Sequence, residues 1–318
     1  MDFILNILFL VAGFILLIKG ADWFVDGSSS VARLLRVPSV IVGLTIVSIG
    51  TSAPEAAVSI TGSLSGSNEI AISNVIGSNL FNLLIVIGAC AILKPFVCQK
   101  DIVKRDLPIN ILITVFLFLL LSDGQLSLIE GIALLVLTVL YILLLIKDAL
   151  KNREDGDEIK IMSPAKSILF IAIGIVAIVL GGDWVVDSAK SIAVRLGMSD
   201  TLVGLTIVAM GTSLPELVTS MVAAKKGESG LALGNAVGSC IFNILLILGL
   251  SATLSPIKLG AIPAFESFVD TIVLVGVTAL VYIFCRTKDR LSRLEGVVFV
   301  ASYLVYLAYA IVRTYNIL

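Results

Sequence analysis

The sequence reads Gly50-Thr-Ser-Ala-Pro-Glu55 in its first half and Gly211-Thr-Ser-Leu-Pro-Glu216 in its second half, 161 residues further on. Each copy lies inside a long apolar run, where an ionisable carboxylate is costly to bury and is usually retained for function. Pro54 and Pro215 have no N–H group and clash with the carbonyl four residues back, so each motif predicts an interrupted helix, broken around Gly50 in the first copy. Two glutamates beside hydroxyl groups and freed carbonyls indicate one shared cation site.

The composition around these motifs is that of a membrane protein. Hydrophobic residues make up 58% of the chain and charged residues 14%, whereas a soluble domain carries about 25% charged residues. Runs long enough to cross a bilayer, about 17–25 residues, occur ten times. They cover 3–21, 38–64, 70–93, 107–122, 127–147, 165–182, 199–224, 230–254, 265–285 and 294–312. Alternating patterning is absent, so we predict an all-α polytopic membrane protein with ten transmembrane helices. The first run lacks a basic segment before it, and we expect a transmembrane helix rather than a signal peptide.

The two halves of the chain repeat each other. Residues 20–95 align with 181–256 without a gap and share 32 identities in 76 positions. A looser match continues to Glu130 and Glu295, which predicts a five-helix repeat over 1–150, a charged cytoplasmic linker over 151–164 and a second repeat over 165–318. The linker lacks the 12-residue spacing of an EF-hand calcium loop. Because five is odd, the second repeat enters from the opposite face, and inverted repeats with interrupted core helices are typical of secondary transporters.

The basic residues predict the orientation. Of 22 Lys and Arg residues, 17 lie in the connections after odd-numbered spans or, as Lys147 and Lys166 do, at the span ends beside them; four lie after even-numbered spans or near a terminus, and Lys19 falls within the first span. The positive-inside rule therefore places both termini outside the cell, in an integral protein of the cell membrane.

The chain has no histidine, which excludes a His-ligated zinc site and a Ser-His-Asp triad. We expect its four cysteines to be packed free thiols.

Helical spacing collects more oxygen around the two glutamates. Ser52 and Thr51 share a helix face with Glu55, and Ser78 and Asn82 lie one turn apart on the next span. The second half repeats this set with Thr212, Ser213, Ser239 and Asn243. Two carboxylates, six hydroxyls and two amide oxygens suit hard cations such as Na⁺ and Ca²⁺. One Ca²⁺ would neutralise the formal charge of −2, but sodium ions or protons could also do so.

With these motifs the chain resembles the calcium/cation antiporter superfamily, whose best-known branch is the sodium/calcium exchangers. The resemblance covers essentially the whole chain. It implies a core of the second, third, seventh and eighth spans, across which the first and sixth slide. It also implies that calcium binds the side chains of Glu55 and Glu216 and the carbonyls of Thr51 and Thr212. Sodium would add Ser52, Ser78, Ser213 and Ser239 with the carbonyls of Ser48 and Ala209, and Asn82 and Asn243 would line the centre. Some exchangers carry an aspartate in place of Asn243, so this site has only two carboxylates.

We therefore expect a secondary antiporter that exports Ca²⁺ in exchange for Na⁺, and not an enzyme. An exchanger coupled to H⁺ through the same glutamates remains open, as does, more remotely, a cation channel. A membrane metal hydrolase is the weakest alternative, because no HExxH motif is present. The expected partners are inorganic cations and the lipid bilayer, with no cofactor, nucleic acid or protein partner; the oligomeric state stays open. We expect capping or interfacial roles, rather than ion entry, for Asp22, Asp26, Asp183 and Asp187, placed at the ends of the first and sixth spans.

Overall fold

The computed structural model describes residues 3–151, 162–198, 203, 206–207, 209–288 and 290–314. Helices dominate this part of the chain. They are α1 (Phe3–Leu35), α2 (Ser39–Thr51), α3 (Ala53–Leu64), α4 (Asn68–Leu93), α5 (Ile102–Asp123), α6 (Leu128–Lys151), α7 (Pro164–Arg195), α8 (Leu214–Lys226), α9 (Ser229–Leu254), α10 (Ala261–Lys288) and α11 (Arg293–Thr314). A short turn, Ala209–Gly211, precedes α8. Most of the predicted linker, 152–161, lies outside the described residues.

The helices have the length and apolarity of a membrane protein. Within the described ranges, eight helices are long and apolar enough to cross a bilayer, and the bent pair α2–α3 makes a ninth if it forms one span. The prediction of a helical polytopic membrane protein is therefore confirmed. The predicted span 199–224 is described only in part, and α8 forms its second half.

Helices α1 and α7 are longer than the sequence predicted. They end at Leu35 and Arg195 rather than at 21 and 182. The prediction ended both spans at an acidic pair, but these carboxylates lie inside the helices. In α1 the two aspartates form ion pairs with one lysine: Lys226 Nζ lies 3.3 Å from Asp22 Oδ1 and 2.6 Å from Asp26 Oδ1. Because both helices continue past these residues, the expected helix-end capping role is wrong.

Helices α1 and α7 pack against each other along much of their length. Glycines allow the backbones to approach closely: a Cβ atom on Gly20 would lie 2.8 Å from the backbone nitrogen of Ile178, and one on Gly181 would lie 2.6 Å from that of Leu17. Small residues at such crossings let helices pack without a gap in a membrane. The pair forms a layer beside α2 and α8.

Helices α4 and α9 are the most buried of the candidate spans. Each contains a π-helical turn, at Asn82–Val86 and at Asn243–Leu248, and further such turns lie in α2 at Gly43–Val47 and in α5 at Ile102–Asp106. Such turns are rare and frequently mark functional sites. Helices α5, α6, α10 and α11 surround this core and expose large apolar side chains such as Leu112, Ile129 and Leu304. The polar groups are thereby concentrated inside and the apolar surface faces outward.

Two very short strand pairs qualify the all-α prediction. The strands are β1 (Phe96–Val97), β2 (Gln125–Leu126), β3 (Ile257–Lys258) and β4 (Arg290–Leu291). β1 pairs with β4, and β2 pairs with β3, both antiparallel. They form in connections, where two extended segments leaving helices pair their free backbone groups. Each pair joins a connection of the first half to one of the second half.

A buried ion cluster ties α5 to α6. Asp106 is fully buried and accepts hydrogen bonds from Arg105 Nε at 3.0 Å, Arg105 Nη2 at 2.9 Å and the Tyr141 hydroxyl at 3.0 Å. Arg105 also donates to Asp148 on α6. The sequence left Asp106 without a role, and the structure places its charge opposite a guanidinium with both oxygens partnered.

Candidate cation site

The helix break in the first motif lies at Ser52. Helices α2 and α3 meet there at an angle of 50°, two residues past the predicted position at Gly50. Pro54 sits in the first turn of α3, where a missing N–H group has no consequence for the new helix. It cannot donate to the carbonyl of Gly50, which loses its partner four residues on. Pro215 has the same place in the first turn of α8, after the short turn that ends at Gly211.

Glu55 is held by hydroxyl groups from both halves of the chain. Its side chain is fully buried. Ser213, in the second motif, donates to Glu55 Oε1 at 2.8 Å, and Ser78 of α4 donates to the same oxygen at 3.4 Å. One carboxylate oxygen is therefore fixed by two donors.

Glu216 is held in the matching way. It is also fully buried. Ser52, in the first motif, donates to Glu216 Oε1 at 2.8 Å, and Ser239 of α9 donates at 3.4 Å. The two motifs thus meet at one place, each supplying a serine to the glutamate of the other.

The second oxygen of each glutamate has no hydrogen-bond partner. Glu55 Oε2 and Glu216 Oε2 are buried and unpartnered, and so are Asn82 Oδ1, Asn82 Nδ2 and Asn243 Oδ1. A buried polar atom without a partner costs about 1–3 kcal/mol, and more when it is charged. In the described part of the chain neither glutamate takes part in an ion pair with a basic side chain. Four buried acceptor oxygens, two of them on carboxyl groups, can therefore bind a cation.

Two asparagines that the sequence analysis missed complete the network. Asn235 Oδ1 accepts a hydrogen bond from Thr51 Oγ1 at 3.0 Å, and its Nδ2 donates to the backbone oxygen of Glu216 at 3.4 Å. Asn74 contacts Thr212 Oγ1 at 3.5 Å and donates to the backbone oxygen of Glu55 at 3.3 Å. These asparagines lie one helical turn before Ser78 and Ser239, at the same offset of 161 residues, so the spacing that predicted the serines could have found them.

The two remaining predicted ligands, Ser48 and Ala209, were expected to bind through their backbone carbonyls. The carbonyl of Ser48 accepts from the Ser52 N–H at 3.0 Å, so the break does not free it. Ala209 begins the short turn before α8. All twelve predicted residues are described, and ten of them are in or beside the network: Glu55, Glu216, Thr51, Thr212, Ser52, Ser213, Ser78, Ser239, Asn82 and Asn243.

A cavity of about 430 Å³ adjoins the network. Its lining includes Thr212, Pro54 and Pro215 from the motifs, and Asp183 and Asp187 of α7.

The four cysteines are buried and free, as predicted. Among the described residues no cluster of three or more His, Cys, Asp and Glu side chains forms a metal site. The side chains of the network offer carboxylate, hydroxyl and amide oxygens, the ligand type that hard cations prefer.

Several known proteins that resemble this chain are exchangers. A family profile described as "Sodium/calcium exchanger protein" matches residues 5–147 and 166–312. Sodium/calcium exchanger MaX1 of Methanosarcina acetivorans is 34% identical over 95% of this chain and 97% of its own length. Inner membrane protein YrbG of Escherichia coli is 34% identical over 94% of both chains. A solved structure of the sodium-calcium exchanger NCX_Mj aligns with a TM-score of 0.85 and 33% identity, over 97% of this chain and all of that one.

The helices, the apolar surface and the buried oxygen network define an integral membrane protein of the transporter class. The chain belongs to the sodium/calcium exchanger family. That family consists of exchangers rather than enzymes, and the resemblance stated from the motifs is confirmed.

Proposed function

We propose that this protein exports Ca²⁺ from the cytoplasm in exchange for Na⁺, both ions competing for one site built on Glu55 and Glu216. The observation that carries the proposal is the pair of buried, unpartnered oxygens Glu55 Oε2 and Glu216 Oε2, each on a carboxyl group whose other oxygen is fixed by two serine hydroxyls. A fixed carboxylate with one free oxygen is a preorganised ligand for a cation.

The ligand sets follow the family pattern. Ca²⁺ takes the side chains of Glu55 and Glu216 with the carbonyls of Thr51 and Thr212. Sodium ions add the hydroxyls of Ser52, Ser78, Ser213 and Ser239 and the carbonyls of Ser48 and Ala209, while Asn82 and Asn243 line the centre. Because the carbonyl of Ser48 already accepts a hydrogen bond from the Ser52 N–H, we expect it to be the weakest member of the sodium set.

The architecture that we propose has ten transmembrane helices in two inverted repeats, 1–150 and 165–318, joined by the cytoplasmic linker 151–164. Matched contacts at the 161-residue offset support it, since Ser52–Glu216 and Ser213–Glu55 are equivalent pairs with equal distances. With 17 of 22 basic residues on the cytoplasmic side, both termini are extracellular.

The exchange mechanism follows from the charge of the site. An unfilled site with charge −2 is costly to enclose in a low-dielectric interior, so the protein changes access only when cations neutralise the glutamates. Helices α1 and α7, in contact through glycines, slide as a layer across the core. Ions enter on one side through the cavity beside Thr212, Pro54 and Pro215.

Vesicle transport with separately imposed gradients tests the proposal. The purified protein is reconstituted and Ca²⁺ uptake is measured with an outward gradient of Na⁺, of K⁺ or of H⁺, at equal membrane potential. We expect uptake with the Na⁺ gradient and little with K⁺. Uptake driven only by H⁺ would indicate a proton-coupled exchanger, and Ca²⁺ flux that needs no counter-ion would indicate a channel.

A further inference from the structure

The repeat symmetry is broken next to the centre of the site. Asn79, on α4, stands where the second half carries Cys240, on α9. Both residues are buried, and α4 and α9 touch at this position. Asn79 Nδ2 donates to the backbone oxygen of Cys240 at 3.0 Å, and the Cys240 thiol lies 3.7 Å from the backbone oxygen of Asn79. An amide on one side therefore faces a thiol on the other.

This difference fixes the orientation of one central amide. A backbone carbonyl can only accept, so Asn79 must turn its NH₂ group toward Cys240 and its Oδ1 the other way. That oxygen accepts from Asn243 Nδ2 at 3.0 Å. Asn243 must then direct its own Oδ1 away from Asn79, and this oxygen is buried without a hydrogen-bond partner.

The matched amide, Asn82, has no such anchor. Neither its Oδ1 nor its Nδ2 has a hydrogen-bond partner, although the residue is fully buried. At the position equivalent to Asn79, the second half carries Cys240. Its thiol has no amide oxygen that could accept a hydrogen bond from Asn82. The two central asparagines are equivalent in sequence and differ in what holds them.

We propose that Asn79 is a positioning residue that holds the amide of Asn243 with its oxygen presented to the cation, and so makes the two halves of the site unequal. Asn243 is then a preorganised ligand, whereas Asn82 must turn its amide when a cation binds, which reduces the affinity gained from it. The inference rests on the proposed function, because it requires that cations bind between the two glutamates.

Exchanging the two matched residues tests this role. The variants are Asn79→Cys, Cys240→Asn and the double exchange, each combined with Asn82→Ala or Asn243→Ala. Calorimetry measures equilibrium Ca²⁺ binding to the purified full chain in detergent without sodium. In the wild type we expect Asn243→Ala to weaken binding more than Asn82→Ala does. Asn79→Cys removes one hydrogen bond, worth about 1 kcal/mol, and should weaken binding about fivefold.

The double exchange separates positioning from stability. An asparagine at position 240 would anchor Asn82 as Asn79 anchors Asn243, so in the double exchange Asn82→Ala should become the more damaging substitution. Cys240→Asn alone keeps Asn79, so both central asparagines would be anchored. Asn82→Ala and Asn243→Ala should then weaken Ca²⁺ binding equally. This variant tests the inference even if Asn79→Cys fails to fold. A loss of stability alone would not reverse the order of the two substitutions.

Three results would overturn the inference. They are equal effects of Asn82→Ala and Asn243→Ala in the wild type, an unchanged order in the double exchange, and additive effects of Asn79→Cys and Asn243→Ala, since coupled residues must be non-additive. A wild-type protein that binds neither Ca²⁺ nor Na⁺ would instead refute the proposed function on which the inference depends.

Discussion

Replacing Glu216 by glutamine removes one charge from the cation site and little else. The two side chains have the same shape, and the amide oxygen can still accept from Ser52, now 2.8 Å from Glu216 Oε1. The hydroxyl network should therefore survive, and the effect on binding should report the charge. Because Glu55 has the matching contact with Ser213 at 2.8 Å, Glu55→Gln should behave alike.

The size of the effect follows from Coulomb's law. A Ca²⁺ ion about 3 Å from the centre of a carboxylate gains roughly 11 kcal/mol at an effective dielectric constant of about 20. The amide oxygen of glutamine remains a neutral ligand for the ion and keeps part of this energy. A net loss of at least about 4 kcal/mol remains, which is roughly a 1,000-fold weaker affinity for Ca²⁺. The gross term for Na⁺ is half as large, about 5–6 kcal/mol, so sodium binding should fall much less.

Calorimetry on the purified protein, followed by Ca²⁺ uptake in proteoliposomes, measures the effect. Glu69→Gln is the matched control, because Glu69 is exposed at the start of α4, outside the network. The control should bind and transport like the wild type. Wild-type Ca²⁺ affinity in Glu216→Gln, with an unchanged unfolding temperature, would refute the argument that this carboxylate is a ligand.

Three further expectations concern the fold and the orientation. Gly181→Val should destabilise the contact of α1 with α7 by about 1–3 kcal/mol, whereas Gly276→Ala, with open space around it, should not; equal unfolding temperatures for the two variants would count against close packing there. Asp106→Ala should cost about 3–5 kcal/mol because it leaves a partly buried guanidinium without its main partner, and the exposed Asp101→Ala should cost little; a similar loss in both would contradict the ion cluster. The proposed orientation places Asp123, at the end of α5, outside the cell, so a cysteine at this position should react with an impermeant maleimide from outside. The native cysteines are buried and should give no background. Labelling only after the cytoplasmic face is opened would reverse the proposed orientation.

Much of the fold was predictable because the membrane constrains it. Apolar runs of sufficient length identify the spans, and eight of the ten predicted runs correspond to continuous helices. The ends of α1 and α7 were not predictable from charge alone, because both helices continue past an acidic pair, and the partner of Asp26 is Lys226, 200 residues away along the chain. The short strand pairs depend likewise on connections that meet only in three dimensions.

The part of the site that could be predicted is the part whose motif occurs in both halves of the chain. Two matched motifs identified both glutamates and their serines, because independent copies of a costly residue are hard to explain by packing. The same pattern contained Asn74 and Asn235, but an asparagine within a helix can bond to many local groups, and the contacts of these two across the halves appear only in the structure. The unequal settings of Asn82 and Asn243 follow from one difference, Asn79 against Cys240, whose effect requires knowing that α4 and α9 touch there.

Competition between the two ions is the central claim, and equilibrium binding tests it most directly. Radioactive Ca²⁺ bound to the purified protein is measured as Na⁺ replaces choline at constant ionic strength, with K⁺ replacing choline in parallel. The account predicts that saturating Na⁺ displaces the bound Ca²⁺ completely and that K⁺ leaves it in place. Ca²⁺ that stays bound at saturating Na⁺ would show that the ions occupy separate sites, and would contradict exchange by competition at Glu55 and Glu216.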